Sequence, residues 1–126
     1  MKRSAILTAA MGVAALLGGC GKNVETVSFS ADVQPVLERR CGACHEPGQP
    51  GYEASGLQLN SYAAVMEGTR YGPVVLPGDP LSSTLIMLVE GRADPSLKMP
   101  HGDARPPTSD EIAILREWVE QGAPNN

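Results

Sequence analysis

Five consecutive residues, Cys41-Gly42-Ala43-Cys44-His45, bring two thiols and an imidazole into one short stretch of chain. In a helical turn, positions i, i+3 and i+4 share one face, so these three side chains are expected to point the same way. The thiols can bond the vinyl groups of a porphyrin while the imidazole binds its iron. A histidine directly after the second cysteine is typical of c-type haem attachment, so the motif predicts one covalently held haem.

Two other uses of paired cysteines fit the sequence less well. A thioredoxin-like redox dithiol would be expected within a βαβ pattern, and the sequence around the motif shows none. A structural zinc site needs further ligands, and the other histidine of the chain, His101, has no neighbouring cysteine. Attachment of haem through Cys41 and Cys44, with His45 on the iron, is therefore the favoured interpretation.

Three methionines downstream of the motif are candidates for the second axial ligand. Met66 and Met87 lie in predicted helices, where methionine usually fills the core. Met99 lies in a proline-rich loop before the last predicted helix, where a side chain can be presented to the iron. A thioether opposite His45 raises the reduction potential of the haem iron, which suits electron transfer. Met99 is therefore favoured as the second axial ligand. His101 is the rival, since a second imidazole would give a bis-histidine haem.

The first twenty residues have the parts of a bacterial secretory signal. Lys2 and Arg3 supply positive charge, residues 5–17 are apolar, and small residues precede Cys20. The apolar run is shorter than the ~20 residues that a spanning helix needs, so cleavage is favoured over an uncleaved anchor. Residues 1–19 are therefore predicted to be removed.

The segment Leu17-Gly18-Gly19-Cys20 resembles the lipobox of bacterial lipoproteins. The resemblance implies that Cys20 carries a lipid and holds the protein to a membrane, on the periplasmic side of the cell envelope. Because Cys20 is followed by Gly21 rather than by aspartate, the resemblance favours the outer membrane over the inner one. Cys20 is also the cysteine left over once the motif has bound haem. The alternative is a cysteine lost with the signal peptide.

Charge and size restrict the possible functions. Without residues 1–19 the chain keeps eight Lys and Arg against fourteen Asp and Glu, a net charge of about −6, which argues against nucleic-acid binding. With only five aromatic residues, it can build a modest core, which a bound haem would complete. No paired carboxylates or nucleophile triad indicate catalysis, so we expect no enzymatic activity and no small-molecule substrate.

Helical patterns recur between loops rich in proline and glycine, and no strand is predicted. The predicted helices cover residues 32–40, 61–67, 82–90 and 108–121. Asp32 is the expected N-cap of the first, and Thr108 and Glu111 form a capping box at the start of the last. Residues 47–51 and 92–107 are expected to be loops. The sequence therefore predicts an all-α domain.

These pieces together resemble a class I cytochrome c, in which a first helix leads into the haem motif and a methionine loop precedes a C-terminal helix. The segments FSADVQPVLERRCGACH, GLQLNSYAAVMEG, LPGDPLSSTL and MP…PPTSDEIAILREWVEQGAP are similar to the cytochrome c modules of planctomycete and related bacterial proteins. The resemblance implies a small cytochrome c fold of three to four short helices and long loops around one haem. It assigns the axial ligands to His45 and Met99, and it implies contact between the first and last helices. His101 stands where a second proline often follows Met-Pro.

The expected organisation is a signal peptide (1–19), a lipid anchor with a polar tether (20–28) and a cytochrome c domain (29–124). The expected function is the transfer of single electrons to and from redox partner proteins in the cell envelope. The alternatives are a haem-based sensor of small ligands, a peroxidase-like protein, and a structural subunit of a larger redox complex.

Overall fold

The computed structural model describes residues 25–126, so the predicted signal peptide and Cys20 lie outside the described residues. Its α-helices are α1 (Gln34–Arg40), α2 (Gly42–His45), α3 (Pro50–Ser55), α4 (Tyr62–Glu67), α5 (Thr84–Val89) and α6 (Ser109–Glu120). In the described part the sheet pairing is limited to an isolated bridge between Thr69 and Gly72. The predicted all-α fold is confirmed, with six short α-helices within residues 25–126 rather than three to four.

The first helical segment begins earlier than the sequence predicts. A π-helical turn, Phe29–Val33, runs directly into α1, and its N-cap is Ser28, whose hydroxyl accepts the Ala31 N–H. The prediction of Asp32 as the N-cap was therefore wrong. The Asp32 carboxylate instead accepts the Ser28 N–H at 2.8 Å, so serine and aspartate cap this end together.

Two further helical turns fall where loops were predicted. Helix α3 starts at Pro50, whose fixed φ suits the first turn, and it ends at Gly56 with φ of 75°. A left-handed residue at this point favours glycine. A 3₁₀ turn, Pro95–Leu97, is capped by the Asp94 side chain. The loop assignments of 47–51 and 92–107 were wrong at these turns, because Pro50 and Pro95 each start a helical turn, a position where proline favours the helix.

The last helix is as predicted. The Thr108 hydroxyl accepts the Glu111 N–H, and the Glu111 carboxylate accepts the Thr108 N–H, which completes the capping box. Helix α4 also follows its prediction, with Ser61 as N-cap and Gly68 at its end.

One apolar core joins the helices. It is centred on an aromatic group in which the Trp118 ring lies 5.5 Å from Phe29 and 6.4 Å from Tyr62, measured between ring centroids. The buried members of the core are Phe29, Val33, Val36, Leu37, Leu57, Leu59, Val65, Val74, Val75, Leu85, Ile86, Leu115, Trp118, Val119 and Ala123. Residues of the first helical segment and of α6 are thus buried together, as the resemblance implied.

The start of the described chain is fixed to its end. The Val27 N–H donates to the Gln121 side-chain carbonyl at 2.8 Å, and the Phe29 N–H donates to the Asn126 side chain at 2.8 Å. The Ser28 hydroxyl donates to the Asn126 carbonyl at 3.0 Å. Residues 25–28, the end of the predicted tether, therefore lie against the domain.

None of the helices within residues 25–126 combines the length and the apolar character of a membrane span.

Candidate haem site

The Cys-x-x-Cys-His motif forms the turn that follows α1. The Cys41 N–H donates to the Leu37 carbonyl at 2.9 Å, which makes Cys41 the C-cap of α1. The Cys41 carbonyl then accepts the N–H groups of Cys44 at 3.1 Å and His45 at 3.0 Å. Cys41, Cys44 and His45 therefore share one helical turn, the arrangement that the spacing predicts.

His45 is buried, with 8% of its surface exposed, and a backbone group orients its ring. Its Nδ1 lies 3.4 Å from the Leu57 carbonyl oxygen. With the proton on Nδ1, the ring donates to this oxygen and keeps the lone pair of Nε2 for a metal. Burial lowers the pKa of His45, against an opposing effect of the Leu57 carbonyl. The imidazole is therefore held neutral, the form that binds iron.

Gly51 in α3 lies against the same imidazole. A Cβ atom built on Gly51 would lie 3.0 Å from Cε1 and 3.1 Å from Nε2 of His45, and 2.7 Å from the Cys44 carbonyl oxygen. Real side chains do not come so close to backbone atoms, so any larger residue would displace the motif or α3. The absent side chain of Gly51 lets α3 close over His45.

A cavity of about 290 Å³ opens beside the motif, and its walls are almost entirely apolar. Its lining residues are Arg40, Cys41, Cys44, His45, Pro50, Gly51, Ala54, Ser55, Leu57, Leu59, Val74, Thr84, Leu85, Leu88, Val89, Met99, Pro100, His101 and Pro107. Two thiols, a neutral imidazole and a thioether on apolar walls fit a flat, apolar porphyrin with a ligated iron. Haem therefore fits this donor set. Within residues 25–126, no cluster of three or more His, Cys, Asp and Glu side chains is placed to hold a metal ion by itself.

The structure brings both candidate second ligands to this cavity. Met99 is half-buried in its wall, and the Met99 N–H donates to the Leu88 carbonyl at 3.2 Å, which fixes the loop against α5. His101 lies two residues further on, exposed, and also lines the cavity. Met66 and Met87 are half-buried and do not line it.

The two thiols differ in exposure. Cys44 is exposed and Cys41 is half-buried, and both are free. Burial, the neighbouring Cys44 and Glu111 together raise the pKa of the Cys41 thiol to about 11, although Arg40 opposes them. Before haem is attached, Cys41 is therefore a neutral thiol at physiological pH.

Sequence reasoning did not identify two groups of this site. The Leu57 carbonyl is a backbone atom, and no side chain in the sequence marks it. Gly51 lies in a segment rich in proline and glycine that predicts a turn, and its closeness to His45 becomes visible only once α3 is known.

Comparisons with known proteins indicate the family of this chain. Residues 41–103 match the family described as Planctomycete cytochrome C. The chain is also similar to hydrazine synthase subunit alpha of Kuenenia stuttgartiensis, with 27% identity over 124 residues. That alignment covers 78% of this chain and 15% of the relative, so the chain spans only a small part of that protein's length. No solved structure matches.

Proposed function

Because the chain belongs to the planctomycete cytochrome c family, and is thus a haem-binding cytochrome c, we propose that it carries single electrons through one covalently attached haem. One observation carries this proposal: His45 and Met99 line the same apolar cavity as Cys41 and Cys44. When bound, haem supplies an iron that cycles between ferrous and ferric states.

The residues of this chain then have separate parts. Cys41 and Cys44 would hold the porphyrin through thioether bonds, and the buried His45 would bind the iron. Met99, presented by a loop that its own N–H fixes to α5, would be the second iron ligand. An iron held by these two side chains would exchange electrons without making or breaking bonds of a substrate.

We place this protein at the periplasmic side of the cell envelope, held by a lipid on Cys20. The support is the signal-like sequence of residues 1–19 and the lipobox resemblance at Cys20. The proposed partners are redox proteins that dock near Cys44, which is exposed and is one of the two residues that would hold the haem. Neither nucleic acid nor a small-molecule substrate is part of the proposal.

Attachment is tested first, on purified holoprotein. We expect haem to stay with the polypeptide under denaturing conditions, and the Cys41→Ser/Cys44→Ser variant to lose it. Mass spectrometry counts the haems, with one per chain expected. A wild-type protein whose haem is removed by denaturation alone would contradict covalent attachment.

Ligation and electron transfer are tested on the same holoprotein. Methionine-ligated ferric haem has a weak charge-transfer band in the red, which we expect in the wild type, together with a reversible one-electron redox titration. Ferrous wild-type protein should bind carbon monoxide poorly, since no position on the iron is open. Ready binding of carbon monoxide would instead favour the small-ligand sensor or the peroxidase-like protein.

A second candidate is a subunit or module that supplies electrons within a larger redox enzyme. The likeness to part of hydrazine synthase subunit alpha favours it, because there the matching region is a small share of a longer chain. Isolation of the intact lipoprotein under mild detergent distinguishes the two. A stoichiometric complex would favour the second candidate, and an isolated monohaem protein the first.

A further inference from the structure

We propose that His101 is a reserve axial ligand, which takes the position on the iron when Met99 leaves it. The inference rests on the proposed function, because it presumes a haem ligated by His45 and Met99. Its consequence is that the iron stays closed to small molecules after the methionine bond has broken.

The placement of His101 is the first argument. His101 and Met99 line the same cavity, two residues apart on one loop. An imidazole and a thioether are both established ligands of haem iron, so either can occupy the position opposite His45.

The hydrogen bonding of the loop is the second argument. The loop is fixed at Met99 by the Leu88 carbonyl and again at Thr108 by the capping box. Between these points, residues 101–106 are exposed, and no hydrogen bond to them occurs in the described part of the chain. A movement of His101 toward the iron therefore breaks no hydrogen bond and buries one imidazole in an apolar cavity.

Lys98 precedes Met99 and carries an amine that could also bind iron, but its side chain is directed toward Gly91. Its side chain lies along Gly91, where a Cβ atom would be 3.1 Å from Cδ and 3.4 Å from Nζ of Lys98. Lys98 is not part of the cavity wall. This makes it a matched control, since it neighbours Met99 on the side opposite to His101.

The test compares holoprotein variants by ferric spin state and by carbon monoxide binding to the ferrous form. The variants are Met99→Ala, Met99→Ala/His101→Ala and Met99→Ala/Lys98→Ala, with the larger Met99→Leu in place of Met99→Ala should alanine prevent folding. We expect Met99→Ala to lose the red band yet stay low-spin, as a bis-histidine haem. Its reduction potential should be lower than that of the wild type.

The double variants decide the identity of the ligand. Met99→Ala/His101→Ala should become high-spin and bind carbon monoxide at least about tenfold faster than Met99→Ala, because no imidazole must first leave the iron. Met99→Ala/Lys98→Ala should behave like Met99→Ala. A high-spin Met99→Ala protein, or loss of the low-spin state on removal of Lys98 alone, would overturn the assignment to His101. A red band that survives Met99→Ala would instead contradict the ligation of the proposed function.

Discussion

Arg40 and Glu111 form an ion pair between the residue that precedes the haem motif and the first turn of the last helix. The Arg40 Nε donates to one Glu111 carboxylate oxygen at 2.9 Å, and Nη2 donates to the other at 3.1 Å. The same carboxylate accepts the Thr108 N–H at 2.8 Å, as part of the capping box. One side chain thus caps α6 and holds it against the motif, in a two-pronged geometry that favours arginine.

Replacement of Glu111 by glutamine should destabilise the holoprotein by about 1 kcal/mol at neutral pH, the usual scale for a lost helix cap. The hydrogen bonds from Arg40 and from the Thr108 N–H lower the pKa of Glu111 from 4.5 to about 2. A carboxylate whose pKa is lower in the folded state stabilises the protein above pH 4.5 or so. That stabilisation is lost as the pH falls from there to about 2.

Urea denaturation of both proteins across this pH range checks the prediction. The difference between wild type and Glu111→Gln should shrink as the solution is acidified. Glu120→Gln, an exposed position on the same helix, is the control and should show little difference at any pH. A difference at Glu111 that does not vary between pH 7 and pH 2 would contradict the account.

Gly51→Ala should disturb the haem site. The added methyl group would lie within 3.1 Å of two ring atoms of His45 and 2.7 Å from the Cys44 carbonyl, so the imidazole or α3 must move. We expect a lower yield of holoprotein, a lower melting temperature and an altered haem absorption spectrum.

Gly42→Ala is the matched control, since it lies within the motif itself. A Cβ atom there would meet only the Glu46 carboxylate, at 3.4 Å, so this variant should keep the wild-type spectrum. Equal behaviour of the two alanine variants would show that the closeness of Gly51 to His45 has no consequence.

Ser83→Ala should loosen the loop that leads into α5. Ser83 is fully buried, and its hydroxyl accepts the Leu76 N–H at 2.8 Å and donates to the Asp79 carbonyl at 2.8 Å. Its removal leaves the Leu76 N–H without this acceptor, whereas the Asp79 carbonyl still accepts the Ser83 N–H at 3.1 Å, so the loss should cost about 1 kcal/mol. Chemical denaturation of the holoprotein measures this loss. Ser109→Ala, at an exposed position, should leave the midpoint unchanged, and an equal midpoint for Ser83→Ala would refute the prediction.

Loss of haem should leave the chain largely unfolded. The cavity separates α3 and α5, whose apolar side chains lie on its walls, and a chain of this size has little other core to hold them. The Cys41→Ser/Cys44→Ser variant, prepared without haem, should lack the near-ultraviolet circular dichroism of its single tryptophan, Trp118. A well-dispersed nuclear magnetic resonance spectrum of this variant would argue the opposite.

The features predicted best from the sequence are those that depend on residues close together along the chain. The capping box of α6 needs only Thr108 and Glu111, and the spacing of the motif alone places Cys41, Cys44 and His45 on one turn. The first N-cap was misplaced because Asp32 and Ser28 both suit a cap. In the structure Ser28 is the N-cap, and the Phe29 N–H that follows it donates to the side chain of Asn126, a residue distant in sequence.

The rest of the site depends on contacts between distant parts of the chain. Arg40 and Glu111 are far apart in sequence, and their pairing follows from the packing of the first helical segment and α6 around Trp118. The ring of His45 is oriented by a residue of another loop, and no local pattern specifies that partner. The sequence therefore indicated which residues could bind haem, but not how each one is supported.

Because His45 is hydrogen-bonded to a backbone carbonyl, the orientation of its ring should tolerate substitution of Leu57. Every amino acid has a carbonyl group, so a substitution at position 57 cannot delete the acceptor, whereas a side-chain acceptor could be lost in one step. The residue at position 57 should nevertheless be apolar, because the side chain of Leu57 is buried in the core. Another apolar residue of similar volume at position 57 should therefore preserve the tautomer of His45, the proposed iron ligand.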